Sequence, residues 1–278
     1  MAMPLQPRVL AHSGGVVRLA QITDTHLGEA EGSCLLNMDT DHSLRAVLEL
    51  LRSEQPALDL LLATGDLSDK GSPASYSRLA GYLSGLELPV FTLPGNHDDR
   101  AHLASICTDD LQLLPLVEVG PWQIVMLDSQ VVGEVGGELG PEQLDILEAA
   151  LARGDAQQLH TLVCLHHQPV PMGSGWIDQQ QIADSEALFS LLDRYKAARG
   201  LLWGHVHQAS DKWRGGLRLM STPSTCVQFA PGSERFKVDD KCPGYRWLEL
   251  YPDGRIDSGV SRVSGVEFCV DLDSGGYS

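Results

Sequence analysis

Positive charge is scarce in this chain: 20 lysines and arginines stand against 37 aspartates and glutamates, a formal net charge of −17. Such a surface repels polyanions and no basic stripe interrupts it, so a partnership with nucleic acid is disfavoured. No apolar run reaches the roughly 20 residues that a membrane span needs. Residues Met1 to Gly15 lack a basic segment followed by an apolar one, so neither a secretory signal nor a membrane partner is expected. The six cysteines (Cys34, Cys107, Cys164, Cys226, Cys242 and Cys269) are scattered, with no C-x-x-C pair. That spacing argues against a cysteine metal site and for reduced, mostly buried thiols in a cytoplasmic protein. Repeats, low-complexity tracts and obvious linkers are missing as well.

What is present is a 278-residue chain, long enough for one large core, in which apolar runs alternate with helical periodicity. Strands are expected at Val16–Ile22, Leu58–Ala63, Pro89–Leu93, His160–Leu165 and Leu201–Trp203. Helices are expected over Asp41–Arg52, Ser75–Leu83, Leu139–Leu151 and Asp184–Tyr195, the last capped by Asp184 or Ser185. Gly120-Pro121 separates Leu116–Val119 from Gln123–Leu127 as a hairpin. Downstream the chain is β-rich, with runs at Leu217–Ser221, Thr225–Phe229, Tyr245–Tyr251 and Arg255–Val263; Asp253-Gly254 turns between the last two. The early strand–helix alternation predicts parallel βαβ units. An α/β fold follows, with two sheets packed face to face and helices outside. One domain spans residues 1–278, with flexible ends at 1–15 and 271–278.

Five short polar signatures decide the chemistry, each closing an apolar strand: Asp24-Thr25-His26, Gly65-Asp66, Gly95-Asn96-His97-Asp98, His166-His167 and Gly204-His205-Val206-His207. Loops at the carboxyl ends of parallel strands gather into one cleft, so residues far apart in sequence can meet there. Asp24 and His26, two apart in an extended segment, point to one side; His205 and His207 repeat that arrangement. Asp66 ends a wholly apolar strand, where an unpaired carboxylate would cost several kcal/mol. Of His166 and His167 only one can face the cleft, and His166 is the expected one, with His167 behind it or in the core. Asp69 and Asp98 are expected to orient other side chains through hydrogen bonds. Taken singly, Asp24-x-His26 and Gly65-Asp66 also read as turns; five such motifs in this order do not. His12, His42, His102 and His160 carry no signature and read as surface or capping residues. Imidazole, carboxylate and amide oxygen are donors that manganese, iron, zinc and cobalt accept, and two such ions roughly 3.5–4 Å apart can cleave phosphate esters.

These motifs resemble the calcineurin-like metallophosphoesterases, whose pattern is D-x-H, G-D, G-N-H-[DE], H and G-H-x-H. All five are present between Asp24 and His207. Three further stretches resemble the bacterial class III 3′,5′-cyclic AMP phosphodiesterases. They are His167-Gln168-Pro169 with Gly173 to Gln179, Thr222 to Phe229, and Pro243-Gly244-Tyr245-Arg246. The resemblance implies a four-layer αββα sandwich of two mixed sheets. It implies one metal held by Asp24, His26, Asp66 and His207, and a second held by Asn96, His166, His205 and the bridging Asp66. Iron or manganese is the first expectation for both, with zinc or cobalt as alternatives. His97 and Asn96 are the catalytic residues it implies, and His26, Asn96, His97 and His207 line the substrate. The implied reaction is hydrolysis of cyclic AMP to 5′-AMP by in-line attack of a metal-bridging hydroxide, with His97 protonating the departing oxygen. Trp176 and Phe229 could stack on adenine or simply pack beneath a loop. A broad phosphodiesterase for 2′,3′-cyclic nucleotides or other small esters is the rival enzyme, and a catalytically silent scaffold the rival outside enzymes. A homodimer remains open.

Overall fold

The runs Leu60–Ala63 and Leu162–Leu165, which lead into Gly65-Asp66 and His166-His167, are apolar on both faces, and the computed structural model, which describes residues 5–276, shows why. Leu60 and Leu62 of the strand Leu60–Thr64 point into a core between two sheets, whereas Leu61 and Ala63 point outward onto helices. In the strand His160–Leu165, Leu162 and Cys164 enter the inter-sheet core while Val163 and Leu165 meet the helices of the other flank. A strand covered on both sides must be apolar throughout.

One sheet has six strands in the order Ile256–Arg262, Gly244–Leu250, Val17–Ile22, Leu60–Thr64, Val90–Leu93, Leu111–Gln112. The other has seven: Arg8–Leu10, Leu116–Val119, Trp122–Met126, His160–Leu165, Ala198–Trp203, Leu217–Ser221, Ser210–Arg214. Helices Thr40–Glu54, Pro73–Ser84 and Arg100–Ser105 cover the first sheet, and Gly140–Gln157 and Ser185–Arg194 cover the second. The result is the four-layer αββα sandwich with mixed sheets. Caps fix where helices begin: Asp39 accepts from the His42 amide and Ser72 from the Ser75 amide, with Pro73 in the first turn.

Parallel pairing sets the functional edge. Val17–Ile22, Leu60–Thr64 and Val90–Leu93 run parallel in one sheet, and Trp122–Met126, His160–Leu165 and Ala198–Trp203 in the other. Their carboxyl ends deliver all five signatures to one rim.

Several expectations need correction. The end 1–15 is not loose throughout: Arg8–Leu10 pairs in parallel with Leu116–Val119, and Leu10 packs on the inter-sheet core. Three residues carry too little periodicity to announce a strand. Asp271 donates its amide to the Leu36 carbonyl (2.9 Å), so the other end is tied at that point; residues 1–4 and 277–278 lie outside the described residues. Thr225–Phe229 shrinks to Gln228–Phe229, because the Ser224 hydroxyl takes the Cys226 amide and the Gln228 amide group binds the Ser224 and Cys226 carbonyls. Such local bonds compete with a ladder. The cysteines are free, but only Cys164 and Cys226 are buried; Cys34, Cys107 and Cys269 are exposed. Asp184 precedes the helix Ser185–Arg194 without capping it, since its carboxylate takes the Leu139 and Gly140 amides.

Candidate metal centre

The strand-end loops are laced to one another before any side chain reaches the centre. The Asp24 amide donates to the Gly65 carbonyl (3.0 Å) and the His26 amide to the Asp66 carbonyl (2.9 Å). The His97 amide donates to Asp66 Oδ1 (2.9 Å), and the His205 amide to the Asp24 carboxylate (3.0 and 3.1 Å). Asp98 works as a knot, accepting the Gly95, Ser68 and Leu67 amides and the Tyr76 hydroxyl.

Asp24, His26, Asp66, His205 and His207 all have left-handed backbone, with φ of 55°, 44°, 49°, 63° and 48°. The expectation of extended segments therefore fails for both D-x-H and H-x-H. Their paired side chains converge through left-handed turns, a conformation that costs a non-glycine residue on the order of 1–3 kcal/mol. The glycines serve close approach. A β-carbon on Gly95 would collide with the Asp66 carboxylate and stand 2.7 Å from His166 Nε2, and one on Gly204 would meet Thr23 and Asp24.

Within this frame His207 Nε2 lies 3.3 Å from Asp24 Oδ1 and 3.2 Å from His26 Nε2. Asp66 Oδ2 stands 3.2 Å from His166 Nε2 and 3.8 Å from His26 Nε2, so one carboxylate oxygen reaches both halves of the cluster. Asp24 and His166 are 3.9 Å apart. The His205 ring is 5.2 Å from that of His166. Asp24, His26, Asp66, His166, His205 and His207 are all buried, whereas Asn96 and His97 are partly exposed at the mouth.

Hydrogen bonds on the far side of each ring fix which nitrogen looks inward. His166 Nδ1 donates to the Thr64 carbonyl (2.8 Å), His207 Nδ1 to Val227 (2.8 Å) and His97 Nδ1 to Asp69 (2.8 Å), leaving Nε2 toward the centre. His205 is reversed: Nε2 donates to Gln180 Oε1 (3.0 Å), and Nδ1 looks inward. His26 Nδ1 faces the Asp69 carboxylate at 3.8 Å. His167 is turned away, with Nδ1 on the Ser129 hydroxyl (2.8 Å) and Nε2 on the Val135 carbonyl (3.2 Å).

Charge is distributed accordingly. Burial opposes ionisation of Asp66, but His166 and then His97 outweigh it and hold the carboxyl well below its usual range. Burial likewise opposes charge on His166, yet Asp66 beside it lifts the imidazole to about 9. Burial, reinforced by His166, pushes His167 down to about 3, so it stays neutral. His97 is raised despite burial because Asp66 and the Asp69 carbonyl face it.

The donor set fits cations. Asn96 Oδ1 is buried with no hydrogen-bond partner among the described residues, as are His166 Nε2 and His205 Nδ1. Oxygen and nitrogen atoms of Asp24, His26 and His207, and of Asp24, Asp66 and His166, lie within 4.8 Å of one another. Imidazole nitrogens and carboxylate and amide oxygens gathered this closely are the donors that a divalent cation accepts once it displaces their protons.

A family model for calcineurin-like phosphoesterases matches residues 17–209, which contain every signature. The chain belongs to this calcineurin-like phosphoesterase family. The phosphoesterase is 48% identical to a 3′,5′-cyclic adenosine monophosphate phosphodiesterase of Pseudomonas aeruginosa, over 94% of this chain and 95% of that one. It is 42% identical to the protein of the same name from Escherichia coli, with the same coverage. Among solved structures its fold is similar to a dimetal phosphatase from Danio rerio (TM-score 0.60, 16% identity, 90% of this chain and all of that one). A purple acid phosphatase from yellow lupin seeds also matches (TM-score 0.64, 16% identity, 92% of this chain and 53% of that one). The phosphoesterase has no helix, among the described residues, long and apolar enough to cross a membrane.

Two glutamines at the centre escape the motifs. Gln130 donates to the Gly95 and Asp98 carbonyls (2.8 and 2.6 Å) and braces the Asn96-His97 turn, and Gln180 holds His205. Neither sits at a strand end or beside a signature residue, so no local pattern marks them. Phe229 is not available to a base: it is 1% exposed and stacks on His207 at 4.1 Å, edged by Trp176. It packs beneath a loop, the plainer of the two expectations.

Proposed function

We propose that this phosphoesterase hydrolyses 3′,5′-cyclic AMP to 5′-AMP, breaking the bond between phosphorus and O3′ and adding one water. The observation that carries the substrate is near-full-length identity of 48% with a relative of that activity, together with a complete donor set. Asp24, His26, Asp66 and His207 would hold one divalent cation, and Asp66, Asn96, His166 and His205 the other. Iron or manganese suits this oxygen and nitrogen set, with zinc or cobalt as alternatives. Bound there, the cations supply an acidified water and neutralise charge on the phosphate.

The chain's own residues do the rest. His97, partly exposed at the mouth with Nδ1 committed to Asp69, presents Nε2 to the substrate and gives its proton to the departing O3′. The Asp69 carbonyl that accepts from Nδ1 orients the ring for that transfer. Asn96, His26 and His207 line the phosphate beside it. The acidic surface turns away long polynucleotides and leaves a small diester as substrate. We place the enzyme in the cytoplasm, where six free cysteines persist as thiols.

The test is a substrate panel on chelated and then remetallated protein: cyclic AMP, cyclic GMP, 2′,3′-cyclic AMP and a chromogenic diester. Cyclic AMP should turn over fastest, and only after metal is restored. Similar rates on all four would favour the broad-specificity enzyme instead.

A further inference from the structure

The imidazoles of His166, His207 and His97 are anchored by main-chain carbonyls, which no side-chain replacement removes. His205 differs, being held by a side-chain amide. We infer that Gln180 is a positioning residue that sets the affinity and geometry of the cation shared by His205, His166, Asn96 and Asp66, an inference that rests on the two-cation reading above.

The geometry supports this in three ways. Gln180 Oε1 accepts from His205 Nε2, so the ring must carry its proton there and its lone pair at Nδ1. That Nδ1 is buried and has no hydrogen-bond partner among the described residues, which leaves the lone pair for a ligand. Lastly, Gln180 does not sit on a loose loop. It ends the 3-10 turn Ile177–Gln180, with Ile177 buried in the core and its carbonyl taken by Gln168 (2.6 Å), next to His166-His167. Asp178 of the same turn binds the Met172 and Gly173 amides (2.6 and 3.0 Å).

Without Gln180 the ring can exchange tautomers, and its reversed orientation loses its reason. A glutamate at 180 would keep the acceptor and add charge, making His205 a more basic ligand. Position 180 is thus where a change of side chain retunes one cation and spares the other.

The experiment uses the full chain stripped with chelator, titrated with Mn²⁺ by calorimetry and with Co²⁺ by visible absorption. Wild type should take two ions. Gln180→Leu should weaken one of them by roughly 10–100-fold, shift the Co²⁺ bands and leave the other ion unchanged. The melting temperature of the stripped protein should not move, and Gln180→Glu should restore the weakened ion or tighten it. Two ions bound by Gln180→Leu as in wild type would overturn the inference. So would equal weakening of both with a fall in melting temperature, which marks general damage. A wild type that takes up a single ion would overturn the two-cation reading itself, a result distinct from either.

Discussion

His97→Ala should lower turnover of cyclic AMP by roughly 10²–10⁴-fold, the usual contribution of a positioned general acid, while the protein keeps its metal. His97 differs from the buried donors. It is partly exposed, its Nδ1 is committed to the Asp69 carbonyl, and its amide donates to Asp66 Oδ1. Alanine retains that amide, so the Asp66 carboxylate keeps its anchor. The alkoxide leaving from cyclic AMP needs a proton, whereas nitrophenolate leaving from a chromogenic diester does not. The loss should therefore be large on cyclic AMP and small on the nitrophenyl ester. Equal losses on both substrates would remove the proton-donor role.

Asp66→Ala should strip the centre. Asp66 Oδ2 lies 3.2 Å from His166 Nε2 and 3.8 Å from His26 Nε2, and Oδ1 holds the His97 amide. One substitution would thus remove a donor from both proposed cation sites and the anchor of the His97 amide. Metal per chain after dialysis should fall far below two, by more than the roughly 10–100-fold in affinity that an outer partner costs. Proton release supplies a second check. In the metal-free protein Asp66 outweighs burial and keeps His166 protonated up to about pH 9. Loading wild type near neutrality must expel that proton, so uptake tightens as pH rises toward 9. Without Asp66 the support for the charge is gone, and loading should release less. Normal metal content and wild-type proton release in Asp66→Ala would contradict the bridging position.

The sandwich was legible because both faces of its inner strands are covered: Leu60 to Ala63 and Leu162 to Leu165 read as unbroken apolar runs, and helices interleave with them. The signatures were legible because catalysis concentrates polar residues at the ends of those runs. Arg8–Leu10 was not, since backbone pairing places it and three residues show no period. Left-handed turns at Asp24 and His205 also left no trace, because these residue types do not announce positive φ as glycine does. Gln180 stays silent for a further reason. It meets His205 across 25 positions of chain, and a contact made in space has no spacing rule in sequence.

The five twisted joints that carry Asp24, His26, Asp66, His205 and His207 bear on how this enzyme ages. Each holds the chain in a posture that costs free energy, and ions bound at the proposed centre would offset it by favouring the folded state, by about 2.7 kcal/mol at a hundredfold excess over Kd. Purification through chelating buffers would then loosen the rim while the sandwich beneath stays shut. Shelf life would follow the ions that a preparation retains.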